Sequence, residues 1–454
     1  MVDMCLLNME NFKLKKADFT QIDQKKIVDL YLKDPTKYKK YMDRVSEIDY
    51  LYWDKVRYQS LPEDLSAIEF WYMVKLVRNI SSRGTKIKAE NGKYFTWIRL
   101  NNTDEYLHKI DMKIGGEIFS HYSNIITPYG KQRLLTKSII EEAIASSQLE
   151  GAVTTTPMAK KLILENRVPK DRSERMIVNN YKTMQAITEE YKNKPLSHEM
   201  FFELHKLITK DTLDQDKQGR YRTNADDITI NDQLRYIYHI PPKEEFLNEQ
   251  IEELIKYAND ESDEGFTHPI VKAIFIHFWI GYLHPFYDGN GRIARTLFYW
   301  YLLKKSYWAI QYLPISLVIR NAPDQYGMSF VYSEQDNLDL TYFFDFNIKK
   351  MLEALDNFEE YIKKKTTENT KMENVLHEKY SLNERQHELL RYLIVKGEKS
   401  YITPSSFIEL NKVSRETASK DLKSLESLDL IRKKRVGKNM RYSATDLLRR
   451  EVDR

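Results

Sequence analysis

A histidine, an aspartate, two glycines, an asparagine and two arginines lie within twelve consecutive residues, His284–Arg295. An apolar stretch ending near Leu283 precedes this segment, and helix-forming residues follow it. The two glycines can adopt positive φ, so the backbone N–H groups of residues 289–291 can converge on an anion. Since a helix begins here, its dipole also favours negative charge. The spacing therefore predicts an anion-binding cradle.

The charged side chains around this cradle suit phosphate chemistry. Arg292 and Arg295 lie three residues apart on one helix face and can bind successive phosphates. Asp288 could hold a Mg²⁺ ion that bridges phosphate oxygens. His284 is the nearby group able to accept a proton near neutral pH. Each residue alone also fits a tight turn between two helices, but the combination favours a phosphate site.

The segment resembles the HxF(D/E)GNGRxxR motif of the Fic family, here with Tyr287 between Phe286 and Asp288. The resemblance extends from about Leu134 to Ile362. It includes a segment ending at Asn321 that is similar to the one supplying an asparagine to the nucleotide in that family. Phe286 is best explained as a core residue that anchors the loop.

The resemblance implies a protein adenylyltransferase that transfers AMP from ATP to a Tyr, Ser or Thr hydroxyl of a target protein and releases pyrophosphate. His284 would be the base, and Asp288 would bind Mg²⁺. The phosphates would be held by the backbone of the cradle and by two arginines, namely Gly289, Asn290, Gly291, Arg292 and, for the γ-phosphate, Arg295. Two alternatives are a Fic enzyme that removes AMP or uses another nucleotide, and a nucleotide-sensing DNA-binding regulator.

Ser146 and Glu150 lie four residues apart near the end of a predicted helix, about 134–151, and therefore on one face. The string matches the (S/T)xxxE(G/N) inhibitory motif of Fic proteins. Resemblance then implies a salt bridge from Glu150 to Arg295 that denies the arginine to ATP. The alternative is a solvated helix end.

The elements that must position these residues are mainly helical. Apolar residues recur with helical period across 131–365, which is predicted to be the catalytic domain. Within it, residues 227–239 alternate around Asn231-Asp232-Gln233 and predict a β-hairpin flap. The resemblance to the Fic family implies that the exposed edge of this hairpin pairs with an extended segment of the target. Residues 1–130 are predicted to be an α+β region.

The C-terminal part has a different character. A charged stretch predicts a linker at 366–380, and residues 381–454 follow the order helix, helix, helix, two-stranded wing. This order resembles a winged helix-turn-helix module. From Glu384 onward there are 17 Lys+Arg and 11 Asp+Glu, and a basic wing beside Arg415, Lys420 and Lys423 suits phosphate contacts. Such modules bind DNA, dock proteins or form dimers, and these readings stay open.

The composition of the chain excludes several other classes of protein. A net charge of +4 over 454 residues is too small for a dedicated nucleic-acid or polybasic membrane protein. A single cysteine, Cys5, excludes an internal disulfide and predicts a reducing compartment, for which the cytoplasm is the default. Neither a signal peptide nor a membrane span is expected. Homodimers are frequent in the family, so a dimer is a further expectation.

Overall fold

The computed structural model describes residues 9–114, 128–232, 235–262, 265–397, 400–437 and 439–452. Cys5 lies outside these ranges. Helices make up most of the described chain, and its strands are short and grouped into three small sheets. The predicted mainly α fold is confirmed. Every helix in the described ranges is too short or too polar to cross a membrane.

The N-terminal region combines helices with one antiparallel strand pair, as predicted. Its elements are β1 (Glu10–Asn11), α1 (Gln24–Lys33), α2 (Pro35–Asp43), α3 (Trp53–Val56), α4 (Ala67–Ser81), β2 (Arg83–Lys88), β3 (Tyr94–Trp97) and α5 (Thr103–Met112). A capping box between Ser66 and Glu69 starts α4. Trp53, Phe70 and Trp71 belong to a second apolar core, to which Val331 and Tyr342 of the following domain also contribute.

The middle of the chain is a helical domain built around one largely apolar helix. Its helices are α6 (Pro128–Leu149), α7 (Thr156–Leu164), α8 (Arg172–Ala186), α9 (His198–Thr209), α10 (Glu244–Ala258), α11 (Pro269–Leu283), α12 (Asn290–Lys304), α13 (Ile315–Ile319), α14 (Pro323–Gln335) and α15 (Thr341–Lys379). Nearly every side chain of α11 is buried, because apolar residues lie on all its faces and its two polar members, Lys272 and His277, pair with Asp260 and Tyr326. It therefore forms the centre of the domain, against α12.

The predicted hairpin is present as β4 (Ile230–Asn231) and β5 (Tyr236–His239), which pair antiparallel. The hairpin has a third strand beside it, because β1 pairs in parallel with β5. Phe12 packs on Tyr236 and Tyr238, and its N–H donates to the Ile237 carbonyl at 2.8 Å. The chain thus covers one edge of its own hairpin, and the β4 edge remains for an added strand.

The C-terminal part contains three helices and a two-stranded ribbon in the predicted order: α16 (Glu384–Val395), α17 (Pro404–Asn411), α18 (Arg415–Ser427), β6 (Ile431–Val436), β7 (Asn439–Ala444) and α19 (Asp446–Val452). A small apolar core holds them together. One difference concerns residues 366–380, predicted as a linker. Helix α15 continues to Lys379, since Lys and Glu, which are also common in linkers, are good helix formers.

Candidate active site

The loop between α11 and α12 forms the predicted cradle. His284 adopts left-handed backbone angles (φ 48°, ψ 59°) and ends α11, with its N–H donating to the Ile280 carbonyl at 2.9 Å. Gly289, at φ 87°, precedes the first turn of α12. The first N–H groups of α12 have no partner within the helix, so they are available to an anion.

Asn290 holds this loop closed. Its Oδ1 accepts the Phe286 N–H at 2.8 Å, and its Nδ2 donates to the Phe286 carbonyl at 2.8 Å. The Phe286 ring is fully buried and stacks on His205 with a centroid separation of 4.0 Å. The Asn290 side chain therefore shapes the cradle, and only its backbone faces the predicted phosphate position. Phe286 has the anchoring role predicted from its sequence position.

Replacing Asn290 with alanine is expected to lower the free energy of unfolding by about 2–4 kcal/mol, because two buried backbone groups of Phe286 would lose their partners. Urea unfolding of the full chain measures the change, and Asn193→Ala, at an exposed asparagine, is the control. A loss for Asn290→Ala no larger than that of the control would contradict the two-bond clamp.

The two arginines of the motif lie buried on the first two turns of α12. Arg292 is completely inaccessible, and its Nη1 donates to the Ile208 carbonyl at 3.1 Å while its Nη2 lies 3.5 Å from Asp288 Oδ1. Arg295 is 3% exposed. Burial lowers the pKa of Arg292, whereas Glu150 is the main group that raises the pKa of Arg295 against the effect of burial. Both remain cationic at neutral pH, so the cradle is backed by two fixed positive charges.

Ser146 and Glu150 both bind Arg295. The Arg295 Nε donates to Ser146 Oγ at 2.9 Å, and Nη2 donates to the Ser146 carbonyl and to Glu150 Oε1, each at 2.9 Å. The Glu150 carboxylate also lies directly over Gly291, where an added Cβ would approach Oε1 to 2.1 Å. Gly291 therefore admits a carboxylate to the cradle. The geometry brings together Glu150, Arg295 and the start of α12.

The environment of His284 keeps its imidazole neutral. Desolvation by burial, with the nearby His239 as a second cause, lowers the pKa of His284 to about 3. A hydrogen bond with the Gly281 backbone opposes this shift without cancelling it. A neutral imidazole retains a lone pair, and the side chain is partly exposed, so it can accept a proton from a bound hydroxyl.

Asp288 is the predicted metal ligand, and its carboxylate is already engaged. Arg172 Nη2 lies 2.7 Å from Oδ2, and the Gly289 N–H donates to Oδ1 at 2.6 Å. Among the described residues, no three His, Cys, Asp or Glu side chains are grouped to hold a metal ion. One carboxylate still fits Mg²⁺, which proteins often hold by one or two carboxylates with substrate phosphates and water completing the shell.

Three residues of the site belong to no recognised sequence motif and were not predicted from the sequence. Arg172, at the start of α8, pairs with Asp288. The Arg222 side chain donates through Nε to the His284 carbonyl at 2.8 Å, and the Arg222 backbone N–H donates to the Pro285 carbonyl at 2.8 Å. His239, at the end of β5, lies 2.7 Å from Glu334 Oε2 and 2.8 Å from the Tyr282 carbonyl, which ties the hairpin to α11. All three come from distant parts of the sequence, so local spacing could not reveal them.

Asn321 lies apart from these contacts. It follows α13 with an exposed side chain, and its N–H donates to the Val318 carbonyl at 3.2 Å. The neighbouring Arg320 hydrogen-bonds Gln148 of α6, so the segment reaches the helix that carries Glu150. A role for Asn321 in nucleotide binding stays a prediction.

The model of the Fic/DOC family matches residues 195–302, which span α9, the hairpin, the cradle and most of α12. Residues 195–302 of this chain form a Fic domain. This domain contains the segment from His284 to Arg295, and α6, which lies outside the matched residues, supplies the carboxylate that lies over Gly291.

Curated relatives of the Fic domain are named as protein adenylyltransferases. The protein adenylyltransferase Fic of Nematostella vectensis is 37% identical over 79 residues, which are 17% of this chain and 16% of that protein. The protein adenylyltransferase fic-1 of Caenorhabditis elegans is 31% identical over 102 residues, 22% of this chain and 18% of that protein. The matched stretch thus spans less than a fifth of each relative.

Solved structures of Fic proteins resemble the chain more loosely. A fragment of Fic-1 from Caenorhabditis elegans aligns at TM-score 0.46 and 16% identity, covering 78% of this chain and 90% of that one. A Fic family protein from Desulfovibrio desulfuricans aligns at TM-score 0.47 and 19% identity, covering 75% and 96%.

Proposed function

We propose that the Fic domain transfers AMP from ATP to a hydroxyl side chain of a target protein and that Glu150 restrains this transfer. The observation that carries the proposal is the Glu150 carboxylate lying over Gly291 in an ion pair with the buried Arg295. An anion already sits where the cradle would hold a phosphate. The names of the curated relatives support the same activity.

Each residue of the site has a separate role in the proposed transfer. The neutral His284 accepts the proton of the target hydroxyl as its oxygen forms a bond to the α-phosphorus of ATP. The bond from the α-phosphorus to the oxygen that bridges to the β-phosphate breaks, and pyrophosphate leaves. The N–H groups of Asn290 and Gly291 and the charges of Arg292 and Arg295 stabilise the growing negative charge, while the Gly289 N–H donates to Asp288. A Mg²⁺ held by Asp288 would neutralise charge on the phosphates.

The position of the label in ATP tests the reaction type. With the α-phosphate labelled, a target or the chain itself should become labelled, and with the γ-phosphate labelled it should not. Mass spectrometry should show the mass of one AMP on a hydroxyl residue. Label transferred from the γ-phosphate, or removal of AMP from a pre-modified protein as the faster reaction, would favour a different Fic chemistry.

Target recognition involves the hairpin. Since β1 covers the β5 edge, we expect an extended segment of the target to pair with β4, beside the end of α11. Strand addition there would fix the target backbone through hydrogen bonds that do not depend on its sequence.

Replacing Arg172 with alanine is expected to lower the Mg²⁺ concentration needed for half-maximal transfer by about threefold, because the Arg172–Asp288 pair competes with the metal for the carboxylate. Transfer by the unrestrained Glu150→Gly protein, measured against Mg²⁺ concentration with and without the Arg172 substitution, gives the result. Arg175→Ala, on the same helix, is the matched control because Arg175 donates to the Asp211 carbonyl and leaves Asp288 untouched. An unchanged or increased Mg²⁺ requirement would contradict the competition.

A second activity is proposed for the C-terminal part, namely binding of duplex DNA. Arg415, Lys420 and Lys423 are all exposed on α18, and exposed basic residues follow Ile431 along β6. Both surfaces present cations to solvent as phosphate contacts require. The alternative is a protein-docking or dimer-forming module.

Charge reversal tests this activity in the full chain. Lys420→Glu with Lys423→Glu should weaken binding to a labelled duplex at least about tenfold at low salt, and the affinity of the unchanged protein should fall steeply with salt. Lys192→Glu with Lys55→Glu, two exposed lysines elsewhere, is the control. Absent or salt-independent binding by the unchanged protein would favour the docking alternative.

A further inference from the structure

A cavity of about 960 Å³ lies between α6 and the C-terminal helices. Arg133 and Lys137 of α6 line one wall, while Tyr392 of α16 and residues near α17 line the opposite wall. Aromatic side chains from both parts of the chain contribute, namely Tyr312, Phe358, Tyr361, Tyr392 and Tyr401. The volume suits a ligand of nucleotide size, and none of the residues assigned above to the cradle takes part.

Arg133 is the unusual member of this lining. Its side chain is buried, at 3% exposure for the residue, yet none of its three guanidinium nitrogens has a hydrogen bond within the described part of the chain. Glu388 Oε2 lies 3.9 Å from Nη1, beyond hydrogen-bond distance, and the Tyr392 ring centroid is 5.4 Å from the guanidinium carbon. A buried charge without hydrogen bonds is costly, so the site is incomplete as it stands.

The other charges around the cavity show what would complete it. Among the described residues, seven Lys and Arg side chains line it, against three Glu side chains. Two of those carboxylates are already paired, since Glu141 lies 2.6 Å from Lys160 and Glu388 pairs with Arg391. The excess of positive charge selects an anion, and the aromatic walls select an apolar or planar body.

We propose that this cavity is a binding site for a small anion carried on an aromatic body, of the phosphate or sulfonate class. Its anionic group would bind the guanidinium of Arg133, and its ring system would lie among the tyrosines. The proposal does not depend on the transferase activity. Because Arg133 and Ser146 belong to the same helix, such a ligand would contact the element that also holds Arg295.

Fluorescence titration of the full-length protein with anilinonaphthalene sulfonate, an aromatic sulfonate, tests the site. We expect one saturable site that remains when ATP is present in excess. Arg133→Met keeps the length and apolar character of the side chain and removes its charge, and it should weaken binding at least about tenfold. Its melting temperature should not fall, because an unbonded buried charge is removed.

Charge reversal at the rim gives an independent test that leaves the buried wall intact. Lys161→Glu with Lys396→Glu alters two exposed lining residues and should also weaken binding. Lys192→Glu with Lys55→Glu lies outside the cavity and should not. The proposal is overturned if the unchanged protein shows no saturable binding, if excess ATP abolishes the signal, or if both cavity variants bind the probe like the unchanged protein.

Discussion

Replacing Glu150 with glycine in the full-length protein is expected to raise self-labelling from α-labelled ATP by about tenfold to a hundredfold. The change removes a charge-assisted hydrogen bond to Arg295 and clears the space over Gly291, and one such bond corresponds to roughly 1.5–3 kcal/mol. Incorporated label measured over time at fixed ATP and Mg²⁺ gives the ratio of rates. Glu150→Gln, which keeps the shape and removes the charge, should give an intermediate rate.

The matched control is Glu141→Gly on the same helix. Glu141 pairs with Lys160 on another face of α6, so this change introduces the same flexible residue without touching Arg295. If Glu141→Gly raised labelling as much as Glu150→Gly, loosening of the helix would explain both. If neither variant raised labelling, the restraint by Glu150 would be wrong.

Replacing His284 with alanine in the Glu150→Gly background is expected to lower transfer by about 10²–10⁴-fold, the usual contribution of a positioned general base. ATP affinity should change little, since the cradle and its arginines remain. Transfer rate and equilibrium binding of ATP are the two measurements, and His108→Ala, at an exposed histidine of α5, is the control. Transfer at the parent rate would exclude His284 as the base.

The pH dependence of kcat/KM adds a second test of the same histidine. Because burial lowers the pKa of His284 to about 3, the imidazole of the free protein stays neutral as the pH falls through the ordinary histidine range. We therefore expect kcat/KM of Glu150→Gly not to fall through protonation of this residue between pH 8 and about pH 5. A rate that halves near pH 6.5 would instead indicate a solvated histidine.

The helices were predictable because their apolar residues repeat with helical period and their ends carry recognisable caps. Helix α11 begins and ends at the predicted residues, with Pro269 at its start and the left-handed His284 at its end. The parallel pairing of β1 with β5 was not predictable, because the strands are more than 200 residues apart and β1 is only two residues long. The helical continuation of α15 differs from the predicted linker because a charged composition is compatible with either a linker or a helix.

The candidate site also contains one part that follows from local sequence and another that depends on contacts between distant segments. The residues from His284 to Arg295 are contiguous, and their types and spacing carried the anion-binding prediction. The remaining contacts come from distant segments. Arg172 pairs with Asp288, Arg222 donates to the His284 carbonyl, and His239 ties the hairpin to α11. Nothing in the neighbouring sequence of each residue marks it as part of the site. These three residues reach the site only because α8 and β5 pack beside the α11–α12 loop.

Arg295 is held by two groups that differ in what their loss would do. Ser146 binds the Nε and one Nη2 hydrogen from within the helix, and Glu150 binds Nη2 from the helix end. Withdrawal of the carboxylate would therefore leave a guanidinium still oriented by Ser146, with Nη1 lacking a hydrogen bond in the described chain. Under the proposed restraint, activation would then require movement of the Glu150 side chain alone, because the contacts with Ser146 would keep the orientation of the guanidinium.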